Sequence, residues 1–302
     1  FACKPRLPSL GVALLAAKDK PLILDIDDWE LGFFLHTGIW GLLGRSLNFT
    51  NPNGLPYTWL MEKRVSRADV ITVSNRFLQK RFGGELVYHC RDTRILDPAH
   101  YDAGEVRSQL GLAGKKVLMF LGTPREHKGI ADLFEMIQLI RNPSAHLVIV
   151  GAGRNENHQP AFFSGTNGKV TLVPPISFDD LGKYLAVADC IIVPQRATSD
   201  TLGQMPAKIF DAMAMAKPVV STRVSDIPEV LGEDGYLVEP GNPSQLASTV
   251  DRILENEEEA HTRGQKLRER CQSLFDIKIM EKKLDALVKR ALLLKKRRTS
   301  EP

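Results

Sequence analysis

The sequence predicts an α/β fold made of two doubly wound domains. Three observations lead there. Short apolar runs alternate with helix-patterned segments along most of the chain. Most of those runs are continuously apolar rather than alternating, as strands of a parallel sheet covered on both faces should be. The 302 residues, 43% hydrophobic and 25% charged, are enough for two ordinary globular domains.

In the later part Val117–Leu121, Leu147–Val150, Val170–Val173, Cys190–Val193, Val219–Ser221 and Tyr236–Val238 read as strands. Helical patterns lie between them near 130–141, 179–187, 206–216 and 243–255, which makes this a Rossmann-like domain. The earlier part has the same grammar on a shorter scale. Leu22–Ile26, Asp69–Val73 and Leu86–His89 read as strands, with helices near 8–17, 56–67 and 75–82. It resembles the second half of another Rossmann-like domain. Asp97-Pro98 and Asp102-Ala103-Gly104 interrupt the pattern and put a boundary within 97–107. Domains are therefore expected at 1–107 and 108–276, followed by an amphipathic helix and basic tail over 277–302. Phe1-Ala-Cys-Lys-Pro5 reads as the end of a strand entering a loop, which points to an amino terminus farther upstream.

The formal charge of +4, from 40 Lys and Arg against 36 Asp and Glu, is too small to argue for a nucleic acid partner. Lys295, Lys296, Arg297 and Arg298 form one basic run. Two readings stay open for it: a solvated tail, or contact with an anionic membrane surface at about 1 kcal/mol per basic residue. Cys3, Cys90, Cys190 and Cys271 show neither a zinc spacing nor a disulfide framework, so a reducing cytosol is the expected compartment. The apolar stretch from Leu31 to Leu43 is broken by His36, Thr37 and three glycines (Gly32, Gly38, Gly41), and falls short of the roughly 20 residues of a membrane span.

The chemistry concentrates at two lysines. In Phe120-Leu-Gly-Thr-Pro-Arg-Glu-His-Lys-Gly129 a strand ends, a loop follows, and a helix starts beside Lys128. In Thr201-Leu-Gly-Gln-Met-Pro-Ala-Lys-Ile-Phe-Asp211, Pro206 suits the first helical position and Lys208 falls in the first turn. A cation there faces the positive end of the helix dipole, unfavourable by roughly 0.3–1 kcal/mol. An anion held between lysine and helix N–H groups reverses that sign. Strand carboxyl ends and the amino ends of the following helices share one edge of an open α/β sheet, so both lysines are expected in one crevice, with a diphosphate as the matching ligand. Solvent-extended lysines are the plainer alternative. Asp211, three residues after Lys208, is either a carboxylate that accepts from ribose hydroxyls or a simple surface partner of Lys208.

Gly122-Thr-Pro-Arg-Glu-His-Lys-Gly129 resembles the diphosphate-gripping loop of retaining family 4 glycosyltransferases. Pro206-Ala-Lys-Ile-Phe-Asp-Ala-Met-Ala-Met-Ala-Lys-Pro-Val-Val220 resembles the Pro-x-Lys-x-x-Glu subgroup of that family, and Asp226-Ile-Pro-Glu-Val230 and Gly235-Tyr-Leu-Val-Glu-Pro-Gly-Asn-Pro243 continue the likeness. The resemblance is strong over 117–256 and looser over 20–100. It implies a GT-B fold, two facing Rossmann-like domains with the first one incomplete here, the donor in the second and the acceptor mainly in the first. Lys128 carries over as the diphosphate lysine and Asp211 as the ribose acid. Backbone N–H groups around Leu202, Gly203 and Gln204 carry over as the hold on the outer phosphate, and the loop from Val173 to Ile176 as the floor under the base.

Three departures mark this chain. Thr123 stands where many relatives have arginine, with Arg125 two residues on as the substitute charge. Gly203 takes the place of the first acid of the Glu-x7-Glu pattern, so sugar hydroxyls fall to another residue, with Asp200 the candidate. Asp211 is one methylene shorter than the usual glutamate. In the earlier domain Leu24-Asp-Ile-Asp-Asp-Trp-Glu30 ends a strand in acids. Asp27 falls where relatives carry a cleft histidine. Asp25, Asp27 and Asp28 are candidates for acceptor hydroxyls, with Asp27 the candidate base, or else for capping a following helix. Two aspartates can also hold magnesium, but the resemblance implies transfer without metal or other cofactor. The apolar stretch with Phe33, Phe34, Ile39, Trp40 and Leu43 suits a lipid-linked acceptor, a membrane surface or core packing.

The expected function is transfer of a sugar from a nucleoside-diphosphate sugar to a glycan or lipid-linked acceptor with retention, in cell-surface polysaccharide biosynthesis, in the cytoplasm or at the inner face of the membrane. A non-catalytic nucleotide-sugar binding protein on the same scaffold is the alternative.

Overall fold

The computed structural model describes residues 1–17, 20–35, 38–153 and 168–300. His36 and Thr37 lie outside the described residues, as do the side chains of Ile39, Trp40, Arg297 and Arg298. Contacts divide the chain into two compact units: Phe1–His89 with Ala197–Met205 and Lys278–Pro302, and Cys90–Arg196 with Pro206–Ile277. The sequence reading draws its boundary within 97–107 and sets 277–302 apart. In the structure the chain changes unit after His89, and two later segments return to the first unit.

The first unit holds four parallel strands in chain order: β1 (Ala2–Cys3), β2 (Ile23–Ile26), β3 (Val70–Val73) and β4 (Glu85–Leu86). Leu24, Ile26 and Val73 are fully buried and cluster with Leu10, Met61 and Leu78. Burying each such side chain contributes about 1.5–3 kcal/mol. The helix Arg76–Phe82 starts where the Asn75 side chain accepts the N–H of Leu78, and ends on Gly83 at φ 71°. The helix Ile277–Ser300 presents Leu284, Leu287, Val288, Ala291 and Leu294 as one stripe, and this stripe covers Ile23 of β2 and Val70 of β3. That burial is why the last helix joins the first unit.

The second unit has six parallel strands, β5 (Lys116–Leu121), β6 (Ala145–Val150), β7 (Val170–Val173), β8 (Cys190–Val193), β9 (Val219–Thr222) and β10 (Tyr236–Val238). Their order is β7-β6-β5-β8-β9-β10. All residues of β6, β8 and β9 are buried, as continuous apolar runs on a two-sided sheet require. Chain order reverses between β5 and β8, so the carboxyl ends of those strands flank a topological switch point, where open α/β sheets bind ligands. The helices Ile130–Leu139 and Ala207–Ala214 follow β5 and β8. The charged helix Glu257–Leu274, not anticipated from the sequence, packs through Ala260, Gly264, Leu267, Arg268 and Cys271. A Cβ on Gly264 would stand 2.2 Å from the Ala216 carbonyl oxygen, so glycine permits that approach. No helix among the described residues is long and apolar enough to cross a membrane.

Candidate functional site

The switch-point loops of the second unit are built on glycine. Gly122 follows β5 at φ +112° and Gly151 follows β6 at φ +101°; a Cβ on Gly151 would lie 2.8 Å from the Gly122 carbonyl carbon. Gly129, at φ +72°, opens the helix Ile130–Leu139, and a Cβ there would lie 1.8 Å from the carbonyl oxygen of Pro194, just beyond β8. Backbone thus packs on backbone along the carboxyl edge of β5, β6 and β8, with no side chain between.

Both lysines open onto this edge. A Cβ built on Gly122 would stand 3.2 Å from Nζ of Lys208 and 4.0 Å from Nζ of Lys128. The two nitrogens are therefore no more than about 7 Å apart, within one screening length. Lys128 closes the short turn Glu126–Lys128 and donates to the Thr123 carbonyl at 3.4 Å. Lys208 is the second residue of the helix Ala207–Ala214, with Pro206 one position earlier than the sequence suggested, at the cap. The Lys208 ammonium lies 4.0 Å from the centroid of the Phe120 ring. Burial, then the charge of Lys128, push its pKa down to about 7, against the opposite pull of Asp211. Among the described residues no carboxylate lies within ion-pair distance of Lys208.

Asp211 pairs elsewhere. It is buried in the first helical turns and accepts a hydrogen bond from Nε of Arg91. The same guanidinium donates to the carbonyls of Ala207 at 3.1 Å and Cys90 at 2.7 Å. The surface pair Lys208–Asp211, open in the sequence, is not formed, because Arg91 takes the carboxylate. Arg91 went unnoticed in the sequence, since 120 positions separate it from Asp211 and no motif surrounds it.

The other expected donor residues divide between the units. Thr123 and Arg125 are exposed on the loop after β5. Val173 is buried, its carbonyl accepting the N–H groups of Gly151 and Ala152 at 2.9 and 3.0 Å, and Ile176 is half-buried beyond it. Asp200, Leu202, Gly203 and Gln204 belong to the first unit. Asp200 is buried and accepts from the Thr198 hydroxyl. The N–H groups expected to hold an outer phosphate are spent inside the turn: Leu202 donates to Thr198 at 3.1 Å, and Gly203 and Gln204 donate to Thr201. Gly203 is glycine for packing, since a Cβ would lie 2.3 Å from Cβ of Trp29.

The acidic motif of the first unit gathers around Lys4, which the sequence reading passed over. Its ammonium lies 2.8 Å from Asp28, 3.1 Å from Glu30 and 3.3 Å from Asp27, and Arg6 also pairs with Glu30. Burial opposes the charge on Lys4, but the hydrogen bond to Asp28 and the surrounding carboxylates together raise its pKa above the ordinary value. Oxygens of Asp27, Asp28 and Glu30 lie within 4.8 Å of one another, and the Lys4 ammonium takes the position a cation would want. Asp25 lies in β2, its pKa raised by burial against a 2.5 Å hydrogen bond from the Thr72 hydroxyl. Of the apolar stretch, Phe34 packs on the first core while Leu35 and Leu43 are exposed.

Residues 115–256 match the family described as Glycosyl transferases group 1. The matched segment makes up slightly less than half of the chain and lies within residues 90–277. Around it the chain is 25% identical over 222 residues to spore coat protein SA of Bacillus subtilis, covering 68% of this chain and 58% of the relative. It is 27% identical over 205 residues to N-acetyl-alpha-D-glucosaminyl L-malate synthase of Bacillus anthracis, covering 63% and 49%. The chain thus spans about half the length of these curated relatives. Among solved structures, Anabaena HepE in complex with UDP and glucose superposes with a TM-score of 0.72 at 20% identity, covering 92% of this chain and 75% of that one. Sucrose-phosphate synthase from Thermosynechococcus elongatus gives 0.70 at 20% identity, covering 97% and 71%. Both likenesses bear on architecture alone: the two units are the two parallel-sheet domains of a GT-B fold.

Proposed function

We propose that this chain is a retaining glycosyltransferase that moves a sugar from a nucleoside-diphosphate sugar to a glycan or lipid-linked acceptor. The observation that carries the reading is the convergence of Lys128 and the half-buried Lys208 over Gly122, with no carboxylate within ion-pair distance of Lys208 among the described residues. Two cations brought this close oppose each other, and a diphosphate resolves the opposition. Its negative charge grows as the bond to the sugar breaks, so fixed positive groups at that point lower the barrier rather than merely bind the donor. Retention rests on the likeness to family 4. Transfer is proposed without a metal, since Lys4 already serves the acids of the first unit. Asp25, Asp27 and Asp28 are proposed for the acceptor, and the basic tail for contact with the inner face of a membrane.

The test is turnover of a panel of UDP-, GDP- and ADP-sugars. Removing one preorganised charge-stabilising group lowers kcat by roughly a hundredfold or more, so Lys128→Ala and Lys208→Ala should each do so. Unchanged turnover in both variants refutes the assignment. The alternative, a nucleotide-sugar binder without catalysis, is favoured by the spent N–H groups of Leu202, Gly203 and Gln204. It predicts nucleotide binding with neither transfer nor donor hydrolysis.

A further inference from the structure

Lysine and aspartate three residues apart on a helix are neighbours placed to pair. Lys208 and Asp211 have that spacing and do not pair, because a third residue intervenes. The guanidinium of Arg91 holds the Asp211 carboxylate and the carbonyl of Ala207, so it spans the turn on which Lys208 stands. Its own backbone is fixed: the Arg91 N–H donates to Phe275 and its carbonyl accepts from Ile277, each at 2.9 Å. The pair is well covered, with side-chain exposures of 16% for Arg91 and 10% for Asp211. Arginine suits this task, since its planar fork serves a carboxylate and a carbonyl at once and sheds water more readily than an ammonium.

We propose that Arg91 is a positioning residue of the donor site, which draws the charge of Asp211 away from Lys208 and so leaves the paired ammonium groups to a diphosphate. This deepens the donor-site reading and rests on it. The charges gathered here are Arg91 and Asp211 behind the helix turn, Lys208 on it and Lys128 from the loop after β5, with the Phe120 ring completing the surroundings of Lys208. With Asp211 held by Arg91, no carboxylate among the described residues lies within ion-pair distance of Lys208, and a diphosphate supplies the missing negative charge. Without Arg91, Asp211 would turn to its helical neighbour and neutralise the site from within.

Calorimetric titration of UDP, GDP and ADP into the wild-type chain, between about pH 6 and 9, sets the reference. Nucleotide affinity depends on charged Lys208, so it should be strong below pH 7 and fall as pH rises through about 7. In Arg91→Met the freed Asp211 should weaken binding by roughly tenfold, and by keeping Lys208 charged it should move the fall to higher pH. In Arg91→Met/Asp211→Asn the fall should return to its wild-type position or below, because no carboxylate remains. Arg91→Lys, which keeps charge without the fork, should lie between and stands in if Arg91→Met does not fold. A merely structural salt bridge would alter unfolding temperature and leave the pH position of the fall unchanged, and that result overturns the proposal. Failure of the wild-type chain to bind any of the three nucleotides is a different outcome and overturns the donor-site reading beneath it.

Discussion

The ammonium of the half-buried Lys208 sits 4.0 Å from the ring centroid of Phe120, on the strand that ends at the switch point. A cation over an aromatic face recovers about 2 kcal/mol when desolvated, which is less than burial takes away, and its pKa drops to about 7 from an ordinary 10.5. The unfolded chain therefore binds more protons than the folded one between about pH 7 and 10.5, and stability contributed by this residue rises with pH across that window. Lys208→Met should stabilise the free protein at pH 7 by at least about 1.4 kcal/mol, the worth of one displaced pH unit, and flatten that rise. Differential scanning calorimetry at several pH values checks it. A variant less stable than wild type at pH 7 would count against the idea that a binding charge is stored here.

Gly122→Ala tests the site from the other side. The residue adopts φ +112°, where an L side chain is strained by about 1–3 kcal/mol, and the new methyl would press on Nζ of Lys208 at 3.2 Å. Nucleoside-diphosphate affinity should fall by tenfold or more, beyond what the loss in unfolding temperature explains. Equal affinity in isothermal titration would mean that the lysines do not act over Gly122.

How much of this was legible beforehand varies with the range of the interactions. Cys190–Val193 forms as the sequence reading has it, because a strand buried on both faces writes itself as an unbroken apolar run, and the partly exposed edge strands Val170–Val173 and Tyr236–Val238 keep enough apolar residues to show the same bounds. Lys128 and Lys208 were legible because their positions at strand-to-helix turns are local. Arg91 and Lys4 were not, since each meets its acids only through folding, across 120 and 24 positions. The helix Glu257–Leu274 escaped because its seam includes Gly264 and Arg268, which break the apolar period. The return of Ala197–Met205 to the first unit depends on Gly203 and Gly32 packing against Trp29 and Ser199, which no periodicity announces.

That packing carries its own prediction. A Cβ on Gly203 would meet Cβ of Trp29 at 2.3 Å and its backbone nitrogen at 3.0 Å, so Gly203→Ala must displace the ring or the turn. Overpacking of this kind costs roughly 1–3 kcal/mol. Trp29, Trp40 and Trp59 are the three tryptophans of the chain and all belong to the first unit, so tryptophan fluorescence during urea unfolding reads the loss there directly. An unshifted midpoint would show that the turn yields freely and that glycine at this position answers another need.

Lys4 poses the opposite case to Lys208, a cation short of water but rich in carboxylates. Its pKa is raised in the folded state, so its stabilisation is complete below the ordinary value of 10.5 and is lost only as pH climbs past the folded one. Among the described residues, Lys4→Met leaves the buried Glu30 with Arg6 and takes from Asp27 and Asp28 the cation they share. Breaking a buried pair costs about 3–5 kcal/mol, and with side-chain exposure of 30% for Lys4 screening should bring this to about 1–2 kcal/mol at pH 7. The loss should shrink in about 1 M salt, where charges are screened within a few ångströms, while Lys4→Arg retains most of the stability at low and high salt. Fluorescence-monitored denaturation at the two salt concentrations separates charge from packing. A penalty for Lys4→Met that is as large at high salt as at low salt would mean that the lysine stem, not its ammonium, holds the acidic motif together.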